Sequence, residues 1–161
     1  MTENGSLENE CCPKFEPSNW DDKTFTWNNK KFIKDKVCTF FYMPCNFSSV
    51  MKKLMKILEG AGMSMSDNIC LSEHTSMWNM NLYLSVDKDV AGVENTSING
   101  NIYSKVYEGP FKDTGKWAKD FENVVKSKNL KLSKMYFWYT TCPKCAKKYG
   151  KNYVVLLGVI E

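Results

Sequence analysis

The sequence contains no arginine, so all 22 of its strongly cationic side chains are lysines. Arginine is the residue that most often contacts phosphates and guanine edges through two hydrogen bonds at once. The lysines are also spread along the chain rather than gathered in one tract, although the formal net charge is +4. We therefore expect a solvated, lysine-rich surface and no nucleic-acid partner.

Long apolar stretches are missing as well. No segment approaches the roughly 18 consecutive apolar residues that a membrane-spanning helix needs. The first twelve residues, MTENGSLENECC, do not have the basic and then apolar pattern of a secretory signal. We expect a cytoplasmic protein without a membrane partner, and in that compartment seven cysteines favour thiols or metal ligands over disulfides.

The chain has 161 residues, which fits one domain large enough to bury a core, or two small modules that share one. Residues 1–10 are polar and are predicted to form a disordered tail. Residues 11–35 are predicted to form an N-terminal arm with a small hairpin that turns at Asn28 and Asn29. The main domain is predicted over residues 36–161.

Within the main domain the order strand, helix, strand, strand is predicted twice, over residues 36–90 and about 98–161. The first half contains VCTFFYMP, NFSSVMKKLMKILEGAG, NICLSEH and NLYLSV. The second contains IYSKVYEGP, DTGKWAKDFENVVKSKN, KMYFWYTT and NYVVLLGVI. Asn46 is the predicted N-cap of the first helix.

A shift of 66 positions, from Pro44 to Pro110, aligns most of the two halves. The shift places the helix-face residues Met51, Met55 and Leu58 on Trp117, Phe121 and Val124, and it places Leu71 on Phe137. The last strands align with an offset of 73, with Leu82 on Val155. The seven extra residues of the second half fall in the segment CPKCAKKYGKN.

The fold class that follows is α+β. Two β-α-β-β units, each with one amphipathic helix, cannot bury their apolar faces separately. We expect tandem repeats that form one antiparallel sheet, with two helices on one face and a ligand groove between the helices.

Aromatic residues make up 14% of the chain and are the strongest functional signal. Buried Trp and Tyr need partners for their N–H and O–H groups, so clusters of them are typical of binding pockets. Core packing is the alternative explanation for any single one. The predicted ligand-binding set consists of Phe41, Trp78, Tyr107, Trp117, Trp138 and Tyr139.

Two carboxylates are candidate catalytic residues. The shift of 66 sets Glu73 opposite Tyr139, at a strand end where the groove is expected to open. A carboxylate that lies among aromatic side chains can act as a general base toward water. Glu108, beside Gly109, is the second candidate, and an exposed turn is the alternative for both. His74, the one histidine, is predicted to be a solvated loop residue.

The segment from Cys142 to Cys145 has the spacing of a redox motif. The chain that follows is too short before Gly150 for the helix that stabilises a reactive thiolate. A zinc site is the alternative, with a ligand set of Cys11, Cys12, Cys142 and Cys145. A structural loop is favoured over both, and we expect no metal and no cofactor.

Five longer motifs carry a resemblance to a known family: CCPKFEPSNW, FFYMPCNFSSVMKKLM, LSEHTSMW, KVYEGPFKDTGKW and YFWYTTCPKCAKKYGKNYVVL. With them the chain resembles the GyrI-like small-molecule-binding family over about residues 11–161, and more narrowly its standalone cyclopropanoid cyclopropyl hydrolases. The resemblance implies a groove for bulky aromatic or cationic ligands, an aromatic cage, and hydrolytic opening of cyclopropane-bearing, DNA-alkylating compounds.

One position departs from the family pattern. Many ligand-sensing members have an acidic residue before a tyrosine in the third strand of the second repeat, where this chain has Trp138 and Tyr139. The departure favours stacking over cation sensing. Three hypotheses follow: a hydrolase of electrophilic small molecules, a non-catalytic binding module that sequesters its ligand, and a zinc or thiol protein.

Overall fold

The computed structural model describes residues 15–41, 43–63, 69–140 and 152–161. Seven strands and two α-helices lie in these ranges, together with short 3-10 helices at Pro17–Asn19 and Phe111–Asp113. The elements are β1 (Lys23–Phe40), β2 (Met43–Pro44), α1 (Phe47–Gly60), β3 (Cys70–His74), β4 (Asn79–Ser85), β5 (Glu94–Glu108), α2 (Thr114–Ser127), β6 (Leu132–Tyr139) and β7 (Tyr153–Ile160). Neither α-helix of the described ranges is long and apolar enough to cross a membrane.

The strands form one antiparallel sheet in the order β2-β1-β4-β3-β6-β7-β5, and β1 also pairs with β5. The expected α+β class with one antiparallel sheet and two helices is confirmed. The sheet is a closed six-stranded barrel, however, to which β2 adds at the end of β1. Closure is possible because β1 spans 18 residues, so that its first part pairs with β5 and its last part with β4.

The hairpin expected at Asn28 and Asn29 is wrong. β1 runs through both residues, and its register against β5 shifts between Trp27 and Lys30, where three steps along β1 match two along β5. Asn29 has a φ of 54°, a left-handed conformation that asparagine tolerates. The turn signal therefore marks a β-bulge, and the boundary expected at residue 35 lies inside β1.

Each helix packs one apolar face against the outside of the barrel. The buried helix residues are Val50, Leu54 and Leu58 in α1 and Trp117, Phe121 and Val125 in α2. Both sets recur every four residues, and they match each other with a shift of 67 rather than 66. Met55, predicted to face inward, is 41% exposed.

The predicted alignment of the strands of the two halves is also wrong by one position. Leu71 and Trp138 lie together in the barrel, while Phe137, the predicted match of Leu71, packs under α2. Leu82 packs under α1, whereas its predicted match Val155 faces the barrel interior. Side chains alternate along a strand, so an error of one position moves every residue to the opposite face.

The apolar core has three parts, one inside the barrel and one under each helix. We call the inner part the interior cluster. All six barrel strands contribute to it, and Ile69 directly before β3 belongs to it as well. Its buried members are Phe32, Ile69, Leu71, Tyr83, Ile98, Ile102, Tyr136, Trp138, Val155 and Leu157. Both faces of the sheet are therefore buried over much of its area.

Gly158 in β7 provides a test of how closely α2 packs on the sheet. A Cβ atom added there would overlap the side chain of Leu132 and lie 2.8 Å from Cε1 of Phe121, which is fully buried. We expect Gly158→Ala to lower the free energy of unfolding by about 1–3 kcal/mol.

Gly115, in the first turn of α2, is the matched control, because a Cβ atom there meets nothing within 4 Å. Gly115→Ala is expected to be neutral or to stabilise by up to about 1 kcal/mol. Urea unfolding of both variants measures the difference. Equal stability of the two would contradict the packing described.

Candidate functional site

The interior cluster contains an aromatic group centred on Trp138 of β6. The ring of Trp20 meets Trp138 edge-on at a centroid distance of 5.0 Å, and the ring of Phe15 does so at 5.5 Å. Phe15 also contacts Tyr153 at 5.7 Å, and Trp20 contacts Phe25 at 5.6 Å. The chain before β1 thus lies against the barrel beside the end of β6 and the start of β7.

Three consecutive residues fix this N-terminal segment to β5. The hydroxyl of Ser104 donates to the carbonyl of Trp20 at 2.7 Å, and the backbone N–H of Val106 donates to Asp21 Oδ1 at 3.1 Å. The phenol of Tyr103 donates to Asp22 Oδ1 at 2.6 Å, and this bond lowers the pKa of Asp22. The segment is held by specific hydrogen bonds as well as by ring contacts.

Glu73 of β3 is a carboxylate on the interior face of the sheet, two residues after Leu71. The side chain is half-buried. Its Oε1 accepts hydrogen bonds from the phenol of Tyr83 at 2.8 Å and from the side-chain amide of Asn81 at 3.2 Å. Over the described ranges, Oε2 receives no hydrogen bond from protein, so one carboxylate oxygen is available to a water or a ligand.

Two tyrosines stand beside this carboxylate. Tyr83 and Tyr136 meet edge-on at 5.5 Å, and both are buried. Burial, and secondly the charge of Glu73, raises the pKa of Tyr136 to about 12. Burial and the hydrogen bond to Glu73 also raise the pKa of Tyr83. Both phenols are therefore protonated donors at neutral pH.

The structure distributes the predicted site residues over separate places. Trp138 and Glu73 belong to the barrel interior, and Phe41 and Trp78 are exposed at the end of β1. Glu108 is exposed at the last position of β5. The other three predicted residues belong to the core between α2 and the sheet, with Trp117 on α2 itself, Tyr107 on β5 and Tyr139 on β6.

The residues under α2 attach that helix to the sheet. The rings of Tyr107 and Trp117 stack at 5.7 Å, and the phenol of Tyr107 donates to Asp120 Oδ2 at 2.6 Å. Tyr139 stacks with Phe137 at 6.4 Å. The contacts of Tyr107 join β5 to α2, and Tyr139 and Phe137 of β6 belong to the same apolar cluster as the helix, which is a structural role.

The partners of Glu73 and the contribution of the N-terminal segment do not follow from the sequence patterns described above. Tyr83 lies between Leu82 and Leu84, which alternation predicted to face inward, so in an open sheet its ring would face solvent. Only a closed barrel buries both faces of β4. For Trp20 a signal was present, because it belongs to the motif CCPKFEPSNW.

His74 is not the solvated loop residue that was expected. It ends β3, is partly buried, and meets the ring of Phe137 edge-on at 5.6 Å. Burial lowers its pKa, so the imidazole is neutral at pH 7.

The cysteines of the predicted zinc set, Cys11, Cys12, Cys142 and Cys145, all lie outside the described residues. Of the described cysteines, Cys38 and Cys45 are exposed thiols, and burial raises the pKa of Cys70 to about 12. Across residues 15–41, 43–63, 69–140 and 152–161, no group of three His, Cys, Asp or Glu side chains is placed to hold a metal ion.

Comparison with known proteins gives one matching family and several similar solved structures. The profile of the bacterial hydrolase family matches residues 2–160. No curated protein matches the sequence. The C-terminal domain of EcmrR is similar in structure, with a TM-score of 0.66 at 10% identity over 88% of this chain and 98% of that one.

Two hydrolases from Listeria innocua are similar in structure as well. One has a TM-score of 0.62 at 10% identity and covers 88% of this chain and 92% of its own. The other has a TM-score of 0.60 at 9% identity and covers 98% and 97%. At these identities the likeness concerns the fold, and together with the family profile it fits the GyrI-like fold expected from the sequence.

The tyrosines beside Glu73 give a pH test of this arrangement. Tyr136 should ionise near pH 12 in the folded protein instead of near its ordinary value of 10.0. The unfolded chain then loses this proton first as pH rises, so the stability contributed by the shift is complete below pH 10 and falls between pH 10 and about 12.

Phenolate absorbance of the wild type minus that of Tyr136→Phe measures the ionisation. Glu73→Gln should move it toward lower pH, but only part of the way, because burial is the larger cause. Ionisation of Tyr136 near pH 10 in the folded wild type would contradict the assignment.

Proposed function

Because the chain belongs to the bacterial hydrolase family, we propose that its barrel binds a bulky aromatic or electrophilic small molecule and that Glu73 directs water onto this molecule. The observation that carries the proposal is the placement of Glu73. Its carboxylate lies at the edge of an apolar, aromatic interior, with Oε1 fixed by Tyr83 and Asn81. A fixed carboxylate with one available oxygen is suited to orient water.

The ligand is proposed to lie where the two halves of the barrel meet. β3 and β6 pair through Leu71 with Trp138 and through Ser72 with Phe137, a much shorter ladder than the one between β6 and β7. We call the boundary between β3 and β6 the seam. Because its ladder is short, the two halves could separate there with little loss of backbone hydrogen bonds. Glu73 and Trp138 both flank this seam, which supports a ligand groove here rather than between the helices.

An aromatic wall beside the seam suits a flat polycyclic ligand. Trp138 is 7% exposed, with Trp20 and Phe15 edge-on against it, so the ligand would stack on these rings only after the seam opens. The N-terminal segment is therefore part of the proposed cage. Of the aromatic residues selected from the sequence, Trp138 is retained.

The proposed reaction is hydrolytic opening of a strained cyclopropane conjugated to a carbonyl, the electrophile of DNA-alkylating xenobiotics. Water forms a bond to a ring carbon, and the broken carbon–carbon bond delivers its electron pair to the carbonyl, which becomes an enolate or phenolate. Glu73 takes the proton that water loses and returns it to the product, so the reaction consumes one water. Such an activity would protect the cytoplasm from alkylation.

Glu73→Gln is the direct test of the general base. With a cyclopropane-bearing alkylating agent, turnover should fall about 10²- to 10⁴-fold, because the amide cannot take the proton. Ligand binding should persist, since the amide oxygen still accepts from Tyr83. Turnover is measured by chromatography of the hydrolysed product, and affinity by quenching of tryptophan fluorescence.

Glu122→Gln on the exposed side of α2 is the matched control and should leave turnover unchanged. Loss of turnover in Glu108→Gln with full activity in Glu73→Gln would make Glu108 the base. If the wild type binds the agent stoichiometrically without turnover, the hydrolase hypothesis is wrong and the protein is a binding module that sequesters its ligand.

A second pair of variants identifies the aromatic wall. Trp138→Phe should weaken ligand affinity about five- to tenfold through the loss of stacking area. Trp117→Phe, a substitution of the same size under α2, should leave affinity unchanged. Calorimetric titration measures both, and a larger effect of Trp117→Phe would move the site to α2.

A further inference from the structure

Three aromatic rings project from the surface at the end of β1. Phe40, Phe41 and Trp78 are 59%, 57% and 49% exposed. Their ring centroids lie 4.7, 5.6 and 5.2 Å apart in the three pairs. At such distances the rings contact one another and leave no space for a ligand between them, so this aromatic knob is a compact projection and not a cage.

The backbone conformation at the knob is unusual. Phe41 directly follows β1, whose last residue, Phe40, pairs with Met43, and its φ is 48°. This left-handed conformation is usual for Gly, Asn or Asp at a hairpin turn and is an outlier for a bulky residue. A phenylalanine is thus kept at a position where folding alone favours another residue, which points to a role for its ring.

The knob has a fixed position relative to the fold. The backbone N–H of Thr39 donates to the carbonyl of Trp78 at 2.8 Å, and its hydroxyl donates to the carbonyl of Met77 at 2.7 Å. These bonds hold the β3–β4 loop to the end of β1. Met77, 40% exposed, adds further apolar surface.

The stretch of sequence that contains Phe40 and Phe41 carries positive but no negative charge. Residues 36–58 contain four lysines and no Asp or Glu. Asn46, at the start of α1, uses its Oδ1 to accept from the backbone N–H of Cys38 instead of capping the helix, which ties α1 to the end of β1. Lys53 pairs with Asp35, while Lys36, Lys52 and Lys56 are exposed and have no ion pair within the described residues.

We propose that the aromatic knob docks on a membrane surface that carries anionic lipids. Phe and Trp side chains insert at the boundary of headgroups and acyl chains, and nearby lysines are attracted to anionic headgroups. The same lysines would repel those of a second copy of the chain, and the lack of arginine disfavours nucleic acid. The proposal replaces the expectation that no membrane partner exists, and it is independent of the function proposed for the barrel.

The test compares vesicles of phosphatidylcholine and phosphatidylserine with vesicles of phosphatidylcholine alone. The wild type should sediment with the anionic vesicles, and salt should weaken the association. Acyl chains that carry bromine should quench Trp78. Trp78→Phe keeps an apolar ring, so it should retain sedimentation and lose most of this quenching.

Phe41→Asn removes the ring without disturbing the fold, because asparagine tolerates the left-handed backbone conformation at this position. The variant should keep the thermal stability of the wild type, and its affinity for anionic vesicles should fall by about tenfold or more. Asn29→Gly, at another position with positive φ, should bind like the wild type.

Charge reversal provides the second comparison. K52E/K56E should weaken vesicle binding by about tenfold or more. K119E/K126E makes the same change in net charge on α2 and should have a much smaller effect. Equal losses in the two double variants, or sedimentation of Phe41→Asn like the wild type, would overturn the proposal. The proposal would also be overturned if the wild type binds neither kind of vesicle and instead forms a dimer that Phe41→Asn abolishes.

Discussion

β1 and β5 pair over two stretches, residues 23–27 with residues 100–104 and residues 30–34 with residues 94–98, with the bulge between them. This pairing closes the barrel. An antiparallel sheet with helices on one side can leave its other side in water, but closure turns that side into an interior. The interior cluster, the contact of Trp20 with Trp138 and the partial burial of Glu73 all follow from this one pairing.

A carboxylate at the edge of such an interior is unfavourable unless its oxygens are hydrogen-bonded. Tyr83 and Asn81, both on β4, satisfy one oxygen of Glu73, and the neighbouring strand β3 sets the distance. The same bonds hold the carboxylate in one orientation. Stability and the proposed catalytic role therefore place the same demand on these two residues.

The N-terminal segment and the aromatic knob show two different uses of aromatic surface. Phe15 and Trp20 bury their rings against Trp138, and the hydrogen bonds to β5 offset the loss of freedom of the segment. Phe40 and Phe41 leave more than half of their surface in solvent, and Phe41 adopts an unfavourable backbone conformation. The first arrangement stabilises the fold, and the second is the basis of the proposed docking surface.

Much of the local structure could be predicted from the sequence, because it depends on neighbouring residues. The apolar residues of α1 and α2 recur with helical spacing, so the two helices and most strands were predicted within a few residues. Turn signals were ambiguous, however, since the asparagines at 28 and 29 fit a hairpin as well as a bulge. Register between the halves was missed by one position, because similar apolar residues stand on both faces of doubly buried strands.

By itself, then, the sequence determined the α+β class, the order of the elements and the two amphipathic helices, and it offered Glu73 and Trp138 as candidates. Tertiary structure decided that the sheet closes, that Tyr83 faces inward beside Glu73, and that Tyr107 and Trp117 belong to the packing of α2. The physical reason is that a face of a strand is buried only if another part of the chain covers it. For this chain the cover is a strand about 70 residues away along the sequence.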